Sequence, residues 1–362
     1  MRIGVLGGCG AMGSRTVEVL AARDEVDEVV VLDQDSAGGQ RLRAATGATF
    51  RQVDATQRSG LVAALRGLDA VASALGPFYR FERPLAEAAL EAGVAYASIC
   101  DDHDATAAVL ELDDAARERG VPLLTGCGWT PGLTNLAARR IHDELGGLDA
   151  VRVFWAGAAS DASGHAVVLH TLHVFSGHVP AVRDGLTEQV LAGSAREPVV
   201  FPEPIGTVQT CAVGHPEPVT LPRFLPGLRR VELKGGLVEA HLNVLARAVV
   251  RARLTRTEVR RERLTRVLEP LLPTLERLGQ PTPAVSAWRV DGAHAGTPRS
   301  YWGLGRMRDL TGVPLAVAAL LLARGELDQP GVHAPEADTV PHARIWELLG
   351  EHAITAERPG AR

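Results

Sequence analysis

The chain is predicted to be an α/β protein, a Rossmann-type doubly wound parallel sheet joined to a second α+β domain with a mixed sheet. Three observations predict it. Up to about Arg140, short β-branched apolar runs alternate with helical patterns, the signature of βαβ units. A glycine-rich turn sits where the first strand meets the first helix. After about Leu145 the pattern shifts to longer extended stretches parted by Pro- and Gly-rich turns.

Six strands are expected in the first part: Arg2–Leu6, Val29–Leu32, Thr49–Val53, Ala70–Leu75, Val94–Ile99 and Pro122–Thr125. Helices between them include Met12–Ala22, Arg83–Ala92 and Ala105–Arg119. Further on, Ala150–Ala156, Ala166–Phe175, Gly206–Ala212 and Ser286–Asp291 read as strands, and Thr257–Leu278 as a helix kinked or ended by Pro270 and Pro273. The apolar helix Val313–Arg324 and a tail helix near Ile345–Leu349 are expected to return to the first domain. The dinucleotide-binding domain then covers 1–135 with the return 310–362, and 136–309 forms a domain for substrate binding and dimerisation.

Bulk properties exclude several classes of function. With 362 residues, 46% hydrophobic and 22% charged, the chain suits two globular domains. A net charge of -5 gives no footprint for nucleic acid or an anionic membrane. Four scattered cysteines, Cys9, Cys100, Cys127 and Cys211, suggest no disulfide framework. The N-terminus lacks signal-peptide features and the longest apolar run, Val313–Ala323, is too short to span a bilayer, so a cytoplasmic location is expected.

The segment Ile3-Gly4-Val5-Leu6-Gly7-Gly8-Cys9-Gly10-Ala11-Met12-Gly13 carries the most chemistry. Glycines there permit a tight turn, so that amides of Gly7, Gly8, Gly10, Ala11, Met12 and Gly13 can face a pyrophosphate at a helix N-terminus. Asp33 ends the next strand, twenty residues beyond Gly13, where it would accept hydrogen bonds from ribose hydroxyls. With Asp35 it would repel a 2′-phosphate, so NAD is expected, with NADP left open by Arg41 and Arg43. Asp54, Leu75, Gly76 and Pro77 complete the cofactor contacts expected at the strand ends.

Ligands in open α/β sheets bind beyond the carboxyl ends of the strands. After the fifth strand, Cys100-Asp101-Asp102-His103-Asp104 gathers ionisable groups, with Asp102 a candidate acid or base and helix capping its structural alternative. After the sixth, Thr125-Gly126-Cys127-Gly128-Trp129-Thr130-Pro131-Gly132 offers close approach to backbone amides.

Glycine turn, Gly76-Pro77-Phe78 and Gly128-Trp129-Thr130-Pro131-Gly132 together resemble the saccharopine dehydrogenase-like family, which includes lysine 6-dehydrogenases. The resemblance continues through Val174-Phe175-Ser176-Gly177, Arg183-Asp184-Gly185, Gly214-His215-Pro216-Glu217-Pro218, Thr220-Leu221-Pro222, Leu310-Thr311-Gly312-Val313-Pro314 and Gly331-Val332-His333-Ala334-Pro335-Glu336. It implies NAD(P)-dependent oxidation or reduction at a carbon–nitrogen bond of an amino-acid-like small molecule, by a homodimer. Saccharopine reductases have an acidic residue in the Asp-Pro-Gly turn where this chain has Thr130, which argues against saccharopine itself.

Under that reading the ordered catalytic candidates are Asp102, His215 and Lys234. Cys127, Thr130 and His173 are expected to touch substrate, and Arg223 or Arg299 to anchor its carboxylate. His165, His170, His173 and His178 raise a metal reading. On a strand, however, His170 and His173 would face opposite sides with no completing ligands, so no metal is expected. Short-chain reductase chemistry is excluded, since Tyr79, Tyr96 and Tyr301 have no lysine four residues later. The competing class is a dinucleotide sensor or scaffold without turnover.

Overall fold

The computed structural model describes residues 1–161, 165–251, 255, 257–271 and 284–360. The chain divides into two compact units, Met1–Leu133 with Arg308–Ile354, and Thr134–Met307 with Thr355–Arg362.

The first stretch alternates strand and helix: β1 (Arg2–Leu6), α1 (Ala11–Ala21), β2 (Glu28–Asp33), α2 (Ser36–Thr46), β3 (Thr49–Gln52), α3 (Arg58–Leu65), β4 (Ala70–Ser73), α4 (Phe78–Ala92), β5 (Ala95–Ser98), α5 (His103–Leu110), α6 (Asp113–Arg119) and β6 (Pro122–Leu124). The helix expected over 105–119 is thus two helices, meeting at Leu112. The Arg83–Ala92 helix begins earlier, at Phe78.

The second unit holds α7 (Leu133–Leu145), apart from its first residue, then β7 (Ala150–Gly157), α8 (His165–Val174), β8 (His178–Arg183), β9 (Leu186–Leu191), β10 (Glu197–Val200) and β11 (Thr207–Ala212). There follow α9 (Glu217–Phe224), β12 (Arg230–Leu237), α10 (Ala240–Arg251), α11 (Glu258–Leu268), β13 (Ser286–His294) and β14 (Thr297–Gly305). The chain then returns to the first unit with α12 (Met307–Ala323), β15 (Gly331–His333) and α13 (His342–Gly350).

Two sequence expectations are corrected here. Of the Ala166–Phe175 stretch, all but Phe175 lies on helix α8 and not on a strand. Its apolar residues follow one another without polar alternation, a pattern that periodicity alone cannot assign. His170 and His173 therefore stand one turn apart on one side of a helix, and strand alternation gives no reason against a metal. The helix expected over 257–278 has turned to 3-10 geometry by Glu269–Leu271, where Pro270 removes an amide donor. Its continuation, with Pro273, lies outside the described residues.

The first sheet has seven strands in the order β15-β6-β5-β4-β1-β2-β3, all parallel. Strands covered on both faces must be apolar throughout: Ile3, Val5, Leu6, Val30, Val31, Leu32, Val71 and Ala72 are all buried. β15, absent from the six expected strands, extends the β6 edge. Strand order reverses between β1 and β4, opening a crevice at their carboxyl ends.

The second sheet is mixed, in the order β10-β11-β12-β7-β13-β14 with the β8–β9 hairpin branching from β12. β7 runs parallel to β12 and antiparallel to β13. Its alternation separates two faces. Arg152, Phe154 and Ala156 face a core containing Val199, Phe201, Val208 and Ala287, while Val151, Val153 and Trp155 face the other way.

On that second face, Trp155 pairs across strands with Gly235 and Trp288, and Trp288 with Gly303. A Cβ on Gly235 would lie 2.0 Å from the Trp155 indole, and one on Gly303 2.7 Å from that of Trp288. Each glycine is the space its tryptophan fills. Gly235→Ala should therefore destabilise the second unit by about 1–3 kcal/mol, as overpacking does. A thermal unfolding midpoint equal to wild type would contradict this.

Candidate functional site

The turn after β1 is shaped by close approach. Gly7 has φ +70°, and a Cβ there would stand 3.0 Å from the Ala74 backbone. A Cβ on Gly8 would meet Val31 Cγ1 at 2.9 Å, and one on Gly13 would sit 2.2 Å from the Gly7 carbonyl oxygen. No side chain caps α1, whose N-cap is Gly10. The first intrahelical bond runs from the Ser14 N–H to the Gly10 carbonyl at 2.8 Å. The N–H groups of Ala11, Met12 and Gly13 precede it and remain to meet an anion. Backbone without side chains, ending at bare amides, fits a dinucleotide pyrophosphate.

Asp33 braces this turn. Its Oδ2 accepts from the Cys9 N–H at 3.0 Å and its Oδ1 from the Asp35 N–H at 3.0 Å. Each carboxylate oxygen keeps acceptor capacity for a ribose hydroxyl. Burial, with the charges of Asp33 and Asp35, pushes the Cys9 thiol up to about 12, so it is a neutral wall of the turn. Asp35 caps α2 through the Gly38 N–H and lies 3.8 Å from Arg41. Asp54, exposed beyond β3, accepts from the backbone N–H and hydroxyl of Thr56, a turn-closing role.

On the other side of the crevice, Leu75, Gly76 and Pro77 form a half-buried turn after β4 with a cis bond between Gly76 and Pro77. Asp102, 1% exposed, reaches this region. It is the N-cap residue of α5 but makes no side-chain cap there. Instead its Oδ2 accepts from the Tyr79 N–H at 2.9 Å, in the first turn of α4. The helix dipole of α4 favours a charged carboxylate at that place.

Beneath the β5 and β6 ends lies a residue that the sequence reading passed over. Glu82, on α4, is fully buried and accepts from Ser98 Oγ at 2.5 Å, Tyr96 Oη at 3.1 Å and Thr125 Oγ1 at 3.4 Å. The signal was present. Glu82 follows Phe78 by four residues and precedes Leu85 and Ala86 by three and four, so it interrupts the apolar stripe of α4. Burial pushes its carboxyl up to about 7 against the pull of the three hydroxyls, and the charge of Asp102 adds to the rise. Cys127 is also buried, and its thiol is raised by burial with smaller contributions from Glu82 and Glu336. Thr130, 5% exposed, precedes a cis bond to Pro131.

In the second unit the candidates separate. His215 follows β11 and is 3% exposed. Its ring lies 5.8 Å from that of Trp155 and 5.5 Å, edge to face, from that of His170. Its Nδ1 is 3.9 Å from Oε2 of the fully buried Glu217, whose Oε1 accepts from the Thr134 hydroxyl at 2.9 Å. His173 is half-buried one turn along α8 from His170.

Lys234 is elsewhere. It pairs in register with Phe154, on the sheet face opposite Trp155, and its Nζ meets Glu197 at 2.5 Å and Glu232 at 3.9 Å. Arg152 shares both carboxylates. Arg299 pairs with Glu144 and lies across from Gly292, four residues along β14 from the Trp155–Trp288–Gly303 row, or about 13 Å. Arg223 is exposed on α9, its guanidinium 5.8 Å from the Phe224 ring centre. By this register Arg299 is not brought to the His215 cluster.

Two measurements check this geometry. Gly13→Ala must displace the Gly7 carbonyl and should weaken NADH binding at least tenfold by fluorescence titration, whereas Gly60→Ala, with nothing within 4 Å of the added Cβ, should leave it unchanged. Glu82 holds its proton to about 7 when folded but releases it near 4.5 when unfolded, so its contribution to stability declines as pH rises through that window. The difference is on the order of 3 kcal/mol. Urea unfolding across pH 4.5–8 should show this decline in wild type and a flatter curve in Glu82→Gln; parallel curves would refute it.

Comparison with known proteins agrees with the first-unit geometry. Residues 3–124 match the family model for the saccharopine dehydrogenase NADP binding domain. Carboxyaminopropylagmatine dehydrogenase of Synechocystis sp. (strain ATCC 27184 / PCC 6803 / Kazusa) is 23% identical, over 94% of each chain. The saccharopine dehydrogenase (L-Glu forming) of Saccharomyces cerevisiae shares the fold, with TM-score 0.72 and 16% identity over 99% of each chain. The segments from Gly7 to the end of β6 are thus similar to the saccharopine dehydrogenase NADP binding domain, and the chain shares the fold of the yeast saccharopine dehydrogenase.

Proposed function

We propose that the protein is an NAD(P)-dependent oxidoreductase acting on the carbon–nitrogen bond of an amino-acid-like amine or imine. The observation that carries this is the side-chain-free anion cradle of Gly7, Gly8, Gly10 and Gly13 at the sheet's switch point, braced by Asp33. The relative named for a carboxyaminopropyl compound supports an amine substrate that carries a carboxylate. No helix among the described residues is long and apolar enough to cross a membrane, and a cytoplasmic small-molecule enzyme is the reading adopted.

A bound nicotinamide ring would supply the hydride acceptor or donor. The protein must then hold the cofactor, exclude water and move a proton to or from nitrogen. In the first unit Asp102, fixed by the α4 amide, is the group assigned to the nicotinamide end. In the second, His215 is assigned as proton carrier, with the Glu217 carboxylate near its ring and His170 and Trp155 walling it. Lys234 has no part in this assignment, because its ion pairs lie on the other face of the sheet. Cys127, Thr130 and His173 are retained as substrate contacts and Arg223 as carboxylate anchor, whereas Arg299 is not.

NAD is favoured over NADP by the carboxylates of Asp33 and Asp35, which would oppose a 2′-phosphate; Arg41 beside Asp35 moderates the preference. A homodimer formed through the second unit is supported by one feature. Among the described residues the exposed large hydrophobics, Leu186, Leu191, Val200, Val244, Val259, Val267, Leu271 and Leu304, all belong to that unit.

Four outcomes are expected. Purified protein should bind NADH more tightly than NADPH by fluorescence titration, and Asp33→Ser should narrow or reverse the ratio. Diamino acids, amino acids and keto acid plus amine pairs, screened at 340 nm, should yield turnover with one amine class. His215→Ala should lower kcat at least a hundredfold, the usual scale of a lost acid–base group, with NADH affinity retained. Light scattering should return twice the mass of one chain. Binding without turnover would favour a dinucleotide sensor, and binding of neither cofactor would overturn the proposal.

A further inference from the structure

Glu82 has no place in the hydride-transfer scheme, yet few side chains in the first unit are more completely enclosed. An acid in the apolar stripe of a helix costs several kcal/mol unless its oxygens are satisfied. Here they are satisfied by three hydroxyls from β5 and the end of β6. Ser98 ends β5, Tyr96 lies within β5, and Thr125 follows β6. Backbone bonds extend the same tie: the Cys127 N–H donates to the Ser98 carbonyl at 2.6 Å and the Ile99 N–H to the Ser73 carbonyl at 3.1 Å. Two residues after Ser98 is Cys100, whose Sγ accepts from the Thr106 hydroxyl of α5 at 3.4 Å, and two residues later is Asp102. The same carboxyl is thus joined to both segments that carry the ionisable and substrate-contact residues of the carboxyl edge.

We propose that Glu82 is a positioning residue for hydride transfer, fixing the ends of β5 and β6 through Tyr96, Ser98 and Thr125 and thereby the placement and charge of Asp102 above them. The proposal deepens the functional reading and rests on it. Two routes of influence follow. Geometrically, one carboxyl collects hydroxyls from two strands, so its loss frees both loops. Electrostatically, Glu82 and Asp102 raise each other's cost of ionising, since such coupling is mutual. The other titratable groups facing this cluster are Tyr96, Cys100 and Cys127, with Asp101 acting on Cys100 and Glu336 on Cys127; all three hydroxyl and thiol groups are pushed up, chiefly by burial, and stay neutral at pH 7. Glu82 is the group among them placed to change charge near pH 7.

Two variants test this in the full chain. Glu82→Gln keeps size and hydrogen bonding but carries no charge, and Glu82→Leu keeps bulk alone. Glu82→Gln should retain kcat within about threefold at pH 6 and lose the inflection near pH 7 from the pH profile of kcat/KM. Glu82→Leu should lower kcat tenfold or more with NADH affinity within threefold of wild type, and the glutamine variant should rescue most of that loss. Wild-type profiles in both variants would overturn the proposal. So would losses of kcat, NADH affinity and thermal midpoint in proportion, the pattern of general loosening. Should Glu82→Leu not fold, the pH profile of Glu82→Gln decides alone. Should no amine turn over, which counts against the functional reading, the fluorescence of bound NADH decides. It should change through pH 7 in wild type and stay constant in Glu82→Gln, and an equal change in both would overturn the proposal.

Discussion

The close approach of α1 to the turn before it is the constraint on which the first unit's chemistry depends. A Cβ at Gly13 would overlap the Gly7 carbonyl, so the helix can start this near the turn only if that position is bare. Once it does, the first amides of α1 open onto the gap between β1 and β4, and the Asp33 carboxylate can tie the Cys9 amide from the neighbouring strand. Sheet order and glycine spacing therefore act together. The reversal of strand order makes the crevice, and the glycines let backbone, with its fixed dipoles, line it.

The carboxylates around that crevice divide by how they are satisfied. Asp33 accepts two backbone amides, Asp35 and Asp54 close local turns, and Asp102 accepts an amide at the start of α4. For Asp54 the Thr56 hydroxyl and amide hold the carboxyl below its ordinary range. Glu82 accepts only hydroxyls and is fully enclosed, and in its case desolvation outweighs those bonds. One sheet edge thus holds an exposed carboxyl, Asp54, pulled down by local donors and an enclosed one, Glu82, pushed up by burial.

Much of the first unit was legible because its signals are local. Strand, turn and helix follow one another within thirty residues, and Gly7 to Gly13 with Asp33 is a pattern in linear order. The second unit is set by pairing between distant segments. The face occupied by Lys234 follows from its register with Phe154, eighty residues earlier, and no spacing along the chain reports that. The histidines of α8 were misread for a related reason: an uninterrupted apolar segment fits a buried strand or a buried helix equally well. Glu82 lay in plain view as an acid on an apolar helix stripe, but its meaning came only with Tyr96, Ser98 and Thr125 around it.

The second sheet then sorts charge by side. On the Phe154 face, Lys234 and Arg152 are bound to Glu197 and Glu232, and the strongest cations there are matched by carboxylates at contact distance. An amine held in that way is committed to its carboxylate partners. Around Trp155 the imidazoles of His170 and His215 and the Glu217 carboxylate come together, while Tyr301 and Arg299 stand farther along the same face. A chemistry that needs an amine nucleophile from the protein would require the first face; one that needs only a proton moved while hydride passes to a cofactor requires the second. The sheet thus keeps the Lys234 amine ion-paired on one face and the His215 imidazole beside Trp155 on the other.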